Sequence, residues 1–279
     1  MTSRREMILS TLAAALVPSV ARAGDDPASP SKSHAEQMAR EHADWMGHET
    51  VAMLLYPQFT ALDLFGPHHM FGSLMGAKVM LVAETTEPVA SDMGVKVVPT
   101  TTFADCPEAP TILFVPGGTD GTLKAAENPA VRRFVRSRGE KAEWVTSVCT
   151  GSIILGAAGL LGGYRATSHW AARRQLALFG AIPVDERVVF DRNRVTGAGV
   201  TSGLDFGLSL VQKLRGTEYA QATQLISEYD PRPPLDAGSE KKAPKEVVVM
   251  MRDMLRGFNG QVEQLAKRVG LEGRTNEPR

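Results

Sequence analysis

The sequence has little cysteine and no surplus of charge of either sign. Its 279 residues include two cysteines, Cys106 and Cys149, which are too few for a disulfide scaffold, and a bridge between them is not favoured. The 31 basic and 31 acidic residues balance. Proteins that bind nucleic acid usually carry a basic surplus, so we expect no nucleic-acid partner.

Metal and cofactor motifs are also missing from the sequence. The six histidines do not have the spacing of metal ligands, and the adjacent pair His68 and His69 would point in different directions. We therefore predict no metal site and no cofactor. Hydrophobic residues make up 43% of the chain, which is enough for a core of normal size.

The first 23 residues have the pattern of an export signal. Arg4 and Arg5 precede a short apolar stretch that ends in Ala21-Arg22-Ala23, a typical cleavage site. The paired arginines resemble a twin-arginine signal, with an ordinary secretory signal or a cytoplasmic helix as the alternatives. The apolar stretch is shorter than the roughly 20 residues that span a bilayer. We expect a periplasmic protein that is not bound to the membrane once the signal is removed.

The rest of the chain divides into three segments by composition. Residues 24–48 are polar and predict a linker with a short helix at 34–45, residues 49–245 an α/β domain, and residues 246–279 a helical tail. Continuous apolar runs at 51–56, 78–83, 111–115 and 143–148 predict strands that are buried on both faces. Helices are predicted at 67–74, 128–138, 152–161, 202–214, 218–229 and 245–258, and a hairpin at 187–196. Strands that alternate with helices indicate a mainly parallel sheet covered on both sides.

Cys149 has the strongest sequence signal for a reactive group. It lies between a predicted strand and a predicted helix, and Gly151 allows a tight turn there, as in a nucleophile elbow. A thiol above a helix N-terminus is expected to ionise more readily, and the thiolate is the form that attacks. The alternative is a buried cysteine that acts as a small hydrophobic residue.

Three other segments carry candidate site residues. Gly117 and Gly118 follow a predicted strand, and the N–H groups of Gly118 and Thr150 would form a pair resembling an oxyanion hole, although a plain turn explains the glycines equally well. Asp63 lies in an apolar setting that would raise its pKa, but it is also explained as a helix cap before Pro67. His169 is either a partner of the cysteine or a structural residue after a capping Ser168.

Together these segments resemble the ThiJ/PfpI superfamily and, within it, the isonitrile hydratases. The resemblance extends from about residue 50 to residue 245, and the order of its motifs is more specific than any one of them. The motifs are LDLFGP at 62–67, FADCP at 103–107, VPGGT at 115–119, SVCTGS at 147–152, GAAGLL at 156–161, RATSHW at 165–170, GAIPV at 180–184 and TSGLDF at 201–206.

The resemblance implies a flavodoxin-like three-layer sandwich that is usually a homodimer. It matches the family's nucleophile to Cys149 and the acid that pairs with it to Asp63. Thr150 stands where many relatives have histidine, as in the hydratase branch. The implied reaction is hydration of a small-molecule isonitrile to an N-substituted formamide. From the residues themselves, we expect Gly117, Gly118 and Gly151 near the substrate and His169 behind the cysteine.

Two alternatives belong to other classes of function. The first alternative is a ligand sensor without turnover, because a nearby branch joins this domain to an AraC-type DNA-binding domain. Residues 262–271 resemble the first helix of such a DNA reader, but the sequence ends too soon for a complete one, and we predict a terminal amphipathic helix. The other alternative is a redox or stress protein in which Cys149 is oxidised.

Overall fold

The apolar runs found in the sequence form the centre of one seven-stranded sheet. The structure, a computed structural model, describes the backbone of residues 42–275 and the side chains of residues 42–270. The predicted export signal and most of the predicted linker and short helix lie outside the described residues. The described part of the linker contains a 3₁₀ helix, Ala43–Trp45.

The predicted strands and helices are present in the predicted order, but five two-residue strands and the helix at 120–127 are not among the predicted elements. The strands are β1 Thr50–Leu54, β2 Lys78–Ala83, β3 Val89–Ala90, β4 Lys96–Val97, β5 Thr101–Thr102, β6 Ile112–Val115, β7 Trp144–Val148, β8 Arg165–Ala166, β9 Ile182–Pro183, β10 Val188–Asp191 and β11 Arg194–Gly197. The helices are α1 Ala61–Gly72, α2 Asp120–Glu127, α3 Pro129–Gly139, α4 Gly151–Ala157, α5 Ser202–Ile226, α6 Lys245–Met254 and α7 Arg256–Thr275, with a 3₁₀ helix at Arg173–Phe179.

The main sheet has the strand order β10-β11-β7-β6-β1-β2-β5. All its pairs are parallel except β10 with β11, which form the predicted hairpin. Helices α1 and α5 pack together on one face, and α2, α3, α4 and α7 lie on the other. This is the predicted mainly parallel three-layer arrangement, and buried apolar strands are its physical cause.

Aromatic packing fastens the α1 and α5 layer to the sheet. Phe71 of α1, Phe114 of β6 and Phe206 of α5 are fully buried, with ring centroids 5.8–6.1 Å apart. Offset and edge-to-face arrangements of this kind stabilise a core beyond the area they bury. The cluster holds the C-terminal end of α1 against the sheet.

The C-terminal helix is packed against the domain. Phe258, Val262 and Leu265 of α7 are buried at helical spacing, and α7 contacts α2, α4 and the Arg173–Phe179 helix. This spacing is the amphipathic pattern that the sequence predicts for 262–271. Helix α6 buries none of its residues.

Several predicted helix boundaries are wrong. Helix α1 begins at Ala61 and contains Pro67, which the sequence had placed at its start; buried packing by Leu64, Met70 and Phe71 outweighs the lost hydrogen bond. Helix α4 ends at Ala157, before Gly159, whose φ is +79°. The predicted break between the helices at 202–214 and 218–229 is confirmed, because Gly216 is non-helical with a φ of +84°, but the second of them ends at Ile226. The helix predicted at 245–258 ends at Met254.

Candidate active site

Three segments that follow neighbouring strands meet at one edge of the main sheet. Asp63 follows β1, Gly117 follows β6 and Cys149 follows β7. The strand order reverses at β1, which has β2 on one side and β6 on the other. In open α/β sheets, such a reversal at the carboxyl ends of the strands leaves room for a ligand.

Cys149 occupies a strained turn that the surrounding groups hold in place. Its φ is +57°, a left-handed conformation that is uncommon for residues other than glycine. Its N–H donates to the carbonyl of Ala198 at 2.7 Å, and its carbonyl accepts from the hydroxyls of Ser152 and Ser168, both at 3.0 Å. Both backbone groups are therefore satisfied, and this is the predicted nucleophile-elbow geometry.

Two glycines make room for the turn. A Cβ on Gly117 would lie 2.6 Å from Asp63 Oδ2 and 2.8 Å from Cys149 Cβ. A Cβ on Gly151 would collide with the carbonyl oxygen of Val115. Neither position can hold a side chain without a shift of the backbone, so both glycines are needed for close approach of the segments.

The Asp63 carboxyl is paired with the Cys149 thiol inside the protein. Asp63 is fully buried and Cys149 is 5% exposed. Burial raises the pKa of Asp63 to about 7, although hydrogen bonds from the Cys149 thiol and the Gly117 N–H oppose the rise. The Gly117 N–H donates to Asp63 Oδ2 at 3.0 Å. A carboxyl group with this pKa can take up and release a proton near neutral pH.

The Cys149 thiol is protonated at rest, so the prediction that the helix N-terminus favours its thiolate form is wrong. Burial and the neighbouring Asp63 carboxyl raise the pKa of Cys149 well above its usual value. Hydrogen bonds from the N–H groups of Thr150 and Val200 to the sulfur lower this pKa, but by less. The effect of the helix N-terminus is overcome because the thiol is desolvated and faces a group that can itself become negative.

A chain of hydroxyl groups braces the floor of the site. The Thr150 hydroxyl donates to the carbonyl of Gly118 at 2.6 Å and lies 2.9 Å from the hydroxyl of Thr122. The Thr122 hydroxyl in turn lies 3.2 Å from the hydroxyl of Tyr56, which donates to the carbonyl of Pro116 at 2.8 Å. The chain ties the turn after β6 to the turn after β7.

One atom in this site has no hydrogen-bonding partner. Asp63 Oδ1 is buried and unpaired among the described residues. An unpaired buried carboxylate oxygen is costly, so it is available to a water molecule or to a proton of a ligand. The site thus presents a buried carboxyl group with a pKa of about 7 beside a protonated thiol, and one oxygen of that carboxyl has no partner.

Comparison with known proteins identifies the family. Residues 49–213 match the DJ-1/PfpI family. The chain is 50% identical over 198 residues to an isonitrile hydratase from Pseudomonas putida, covering 71% of this chain and 86% of the relative. The chain belongs to the DJ-1/PfpI family.

Two further relatives indicate how far the likeness extends. A crystal structure of a ThiJ/PfpI family protein from Pseudomonas syringae has 54% identity and a TM-score of 0.80, and it covers 88% of this chain and 98% of that one. The HTH-type transcriptional regulator GbdR from Pseudomonas aeruginosa is 27% identical over 191 residues, which are 65% of this chain and 51% of the regulator. The predicted family and the predicted flavodoxin-like fold are both confirmed.

The oxyanion pair predicted for this DJ-1/PfpI domain is not formed. The Gly118 N–H donates to the Thr150 hydroxyl at 3.0 Å, and the Thr150 N–H is directed to the sulfur of Cys149. Gly118 lies close to the backbone of Gln58. Gly151 allows the start of α4 to approach the carbonyls of Val115 and Pro116 at the end of β6. Of the predicted glycines, only Gly117 directs its N–H at a reactive group.

His169 does not hydrogen-bond to the cysteine. Its Nδ1 accepts from the N–H of Ala171 at 3.4 Å, and burial lowers the pKa of its ring. Ser168, predicted as a helix cap, instead donates to the carbonyl of Cys149, because the 3₁₀ helix that follows begins only at Arg173. The serine, rather than the histidine, supports the reactive turn.

Val200 is the contact that sequence reasoning missed. Its N–H donates to the Cys149 sulfur from the segment after β11, the parallel neighbour of β7. The run of small residues Gly197, Ala198 and Gly199, which begins at the last residue of that strand, is the signal that could have revealed it. They bring the backbone close to the sulfur.

The described chain contains neither a metal cluster nor a membrane-spanning helix. Within residues 42–270, the histidine, cysteine and carboxylate side chains form no group of three that could hold a metal ion. No helix in this part of the protein is long and apolar enough to cross a bilayer. Both cysteines are free thiols, Cys106 beneath the guanidinium of Arg138 and Cys149 at the elbow.

Proposed function

We propose that this protein adds water to an isonitrile, R–N≡C, and releases the formamide R–NH–CHO. The observation that supports this best is the buried pair of Asp63 and Cys149, in which a carboxyl group with a pKa of about 7 lies beside a protonated thiol. The likeness to an isonitrile hydratase over most of that enzyme supports the same reaction.

The first step joins the cysteine sulfur to the terminal carbon of the isonitrile. The thiol proton moves to the ionised Asp63 carboxyl as the sulfur attacks, and the carboxyl then delivers that proton to the same carbon. The product is the thioimidate R–N=CH–S–Cys149. The proton that leaves sulfur arrives on carbon, so the carboxylate is regenerated.

The second step replaces sulfur with water. Asp63 removes a proton from water, the hydroxide adds to the carbon, and the nitrogen takes up the proton. The tetrahedral adduct R–NH–CH(OH)–S–Cys149 then loses its hydroxyl proton through Asp63 to the departing sulfur. The N–H groups of Thr150 and Val200 stabilise negative charge on that sulfur as the C–S bond breaks.

The enclosure of the site suits this substrate. Cys149 is only 5% exposed, so a bulky electrophile would have to displace surrounding groups. The isocyano group is linear and carries its reactive carbon at the tip. It therefore needs only a narrow approach to the sulfur. In this proposal the unpaired Asp63 Oδ1 accepts a hydrogen bond from the attacking water.

The direct test is to incubate the purified protein with cyclohexyl isocyanide and to measure N-cyclohexylformamide by chromatography. We expect turnover by the wild type and by Cys106→Ala, and none above background by Cys149→Ala. Mass spectrometry of acid-quenched wild type should show an adduct of the isonitrile's mass on Cys149. Full activity in Cys149→Ala would refute covalent catalysis.

The ligand sensor is the second candidate, because the likeness extends to about half of a transcriptional regulator. A sensor would bind cyclohexyl isocyanide without producing the formamide, and Cys149→Ala would keep the affinity. The redox alternative has less support, since oxidation of cysteine follows thiolate character and burial keeps this thiol protonated.

We also propose a periplasmic location and a homodimer for the enzyme. The location rests on the export pattern of the first 23 residues. Fractionation of cells, with Arg4 and Arg5 both changed to lysine as a comparison, tests it: the variant should stay in the cytoplasm. Light scattering on the purified protein tests the dimer.

A further inference from the structure

A second strained turn lies directly before the helix that carries Asp63. Gln58 has a φ of +64°, a left-handed conformation that is uncommon for residues other than glycine. Its carbonyl oxygen would lie 2.6 Å from a Cβ on Gly118 and 2.4 Å from a Cβ on Gly121, so the turn lies against the segment after β6 and the start of α2. Its side-chain oxygen accepts from the ammonium group of Lys124 at 2.8 Å. Like the elbow, this turn persists because its surroundings hold it.

The hairpin of β3 and β4 is one of the elements that hold this turn. The carbonyl of Ala90 accepts from the N–H of Gln58 at 2.8 Å, and the N–H of Asp92 donates to the carbonyl of Phe59 at 2.9 Å. The Asp92 carboxylate also accepts from the hydroxyl of Thr60, with 2.8 Å between Oδ2 and Oγ1. Hydrogen bonds therefore join the hairpin to three consecutive residues before α1.

Thr60 connects this attachment to Asp63. Its backbone N–H donates to the carbonyl of Gly117 at 2.8 Å, and its carbonyl accepts from the N–H of Asp63 at 3.0 Å. The Gly117 N–H in turn donates to Asp63 Oδ2 at 3.0 Å. These three bonds form a closed ring, so a shift of Thr60 would move both the start of α1 and the glycine that holds the carboxyl.

Asp92 also acts on Asp63 through its charge. Burial is the main cause of the raised pKa of Asp63, and the negative charge of Asp92 raises it further. Burial likewise raises the pKa of Tyr56, and the charges of Asp63, Cys149 and Asp92 add to that rise. The titratable groups that interact with Asp63 are therefore Cys149, Tyr56 and Asp92. Of these three only Asp92 is exposed, so it can be changed without disturbing a buried contact.

We propose that Thr60 and Asp92 are positioning residues for the reactive pair. Thr60 fixes the start of α1 to the hairpin and to the turn after β6, and Asp92 supplies a negative charge that keeps the Asp63 carboxyl protonated to a higher pH. The consequence for catalysis rests on the proposed function, because it requires that Asp63 relay the thiol proton. The placement and the titration of Asp63 do not depend on which reaction follows.

The test measures the titration of Asp63 directly. Carbon-13 NMR of protein labelled at its aspartate carboxyl carbons follows each carboxyl with pH, and the signal that is missing in Asp63→Asn belongs to Asp63. Asp92→Asn keeps an oxygen that can accept from the Thr60 hydroxyl but removes the charge. We expect the pKa of Asp63, about 7 in the wild type, to fall by about half a unit in Asp92→Asn.

Variants of Thr60 test the hydrogen bond that holds the charge. Thr60→Val removes the hydroxyl, so the Asp92 carboxylate is released and the pKa of Asp63 should fall by less than in Asp92→Asn. The double variant should show no larger fall than Asp92→Asn alone, because the hydroxyl matters here only while it holds a charge. Thr60→Ser keeps the hydroxyl and should keep the wild-type pKa. Additive falls in the double variant would refute the coupling of the two residues.

A matched threonine and aspartate pair near the end of β5 provides the control. The Thr102 hydroxyl donates to Asp105 Oδ2 at 2.5 Å in an exposed hydrogen bond. Thr102→Val and Asp105→Asn should leave the pKa of Asp63 unchanged. An unchanged pKa of Asp63 in Asp92→Asn, or an equal fall in Asp105→Asn, overturns the proposal.

Turnover provides a second measurement that separates this proposal from the proposed function. In Asp92→Asn, the rise of kcat/KM with pH should move to lower pH by the same amount as the pKa of Asp63. A wild type that releases no formamide, together with a lowered pKa of Asp63 in Asp92→Asn, would refute hydration and support the positioning role. Formamide release with an unchanged pKa of Asp63 in that variant would refute the positioning role alone.

Discussion

Ionisable groups are buried at the Cys149 site, whereas they line an open surface cleft formed by the segment around Trp170 and Arg174 and the helices α6 and α7. At Cys149 two ionisable groups are buried together, and burial raises the pKa of both. In the cleft, five charged residues face a space open to solvent, and Glu240 is fully paired. The comparison teaches that enclosure, rather than the number of charged residues, determines which site can hold a proton at neutral pH.

The two regions also differ in the groups that hold them in place, which are mainly backbone groups at Cys149 and side chains around the cleft. Cys149 adopts a positive φ, and its backbone is hydrogen-bonded to Ala198, Ser152 and Ser168. Around the cleft, side chains from separate helices supply the contacts. A strained turn persists only where its surroundings determine it fully, so the elbow is where substitutions should have the largest effect.

The largest expected effect is the loss of hydration in Cys149→Ala. Removal of a covalent nucleophile should lower kcat by about 10⁴-fold or more. Cys106→Ala removes the other buried thiol and should keep the rate within about twofold. Equal losses in both variants would mean that the effect is one of folding and that the elbow is not special.

Asp63→Asn is expected to lower kcat by about 10²–10³-fold, because the amide cannot relay the thiol proton. In the wild type, kcat/KM should rise with pH through about 7 as Asp63 ionises. It should then stay level beyond pH 9, because the pKa of Cys149 is raised. A flat wild-type profile between pH 5.5 and 8.5, measured by formamide release, would contradict a role for Asp63 in proton transfer.

The same carboxyl should make the fold less stable as the pH rises. Asp63 has a pKa of about 7 when folded against an ordinary value of 3.8, so between these values the folded protein holds a proton that the unfolded chain releases. Its stabilising contribution is complete below pH 4 and is lost as the pH rises to 7.

Asp63→Asn removes that dependence on pH. We expect the free energy of unfolding of the variant, relative to wild type, to increase by about 2–3 kcal/mol between pH 5 and pH 8. Urea unfolding at the two pH values measures it. An equal difference at both values would mean that the carboxyl is not desolvated in the folded protein.

Gly117→Ala should damage the enclosed site by crowding. The new methyl group would lie within 2.8 Å of Asp63, Cys149 and the Thr150 N–H, which should cost about 2 kcal/mol or more and displace the reactive pair. Gly162→Ala is the matched control, because a Cβ there meets nothing within 4 Å and its φ is not positive. Denaturant midpoints and kcat should separate the two variants.

The smallest predicted effect concerns the support of the elbow. Ser168→Ala removes one of two hydroxyls that donate to the carbonyl of Cys149, and should cost about 1 kcal/mol. Ser209→Ala removes a hydroxyl bond to a backbone carbonyl within α5 and is the control. If the support matters for catalysis, only Ser168→Ala should also lower kcat, with KM unchanged.

Much of the fold could be predicted because its strands are buried on both faces. Continuous apolar runs, a Gly-Gly pair after one strand and a Cys-Thr-Gly turn after another are local patterns, and each marks the same edge of a parallel sheet. The start of α1 could not be predicted in this way, because Pro67 favours a later start and only packing by Leu64, Met70 and Phe71 overrides it.

The sequence by itself determined the class of the fold, the position of Cys149 at a strand-to-helix turn and the presence of Asp63 after the first strand. Only the tertiary structure decided the protonation state of the pair, the approach of Val200 to the sulfur from the segment after β11, and the engagement of Gly118 with Thr150. The reason is that a turn is a local property of the backbone. A pKa and a hydrogen bond between distant segments depend on what surrounds a group after the chain has packed.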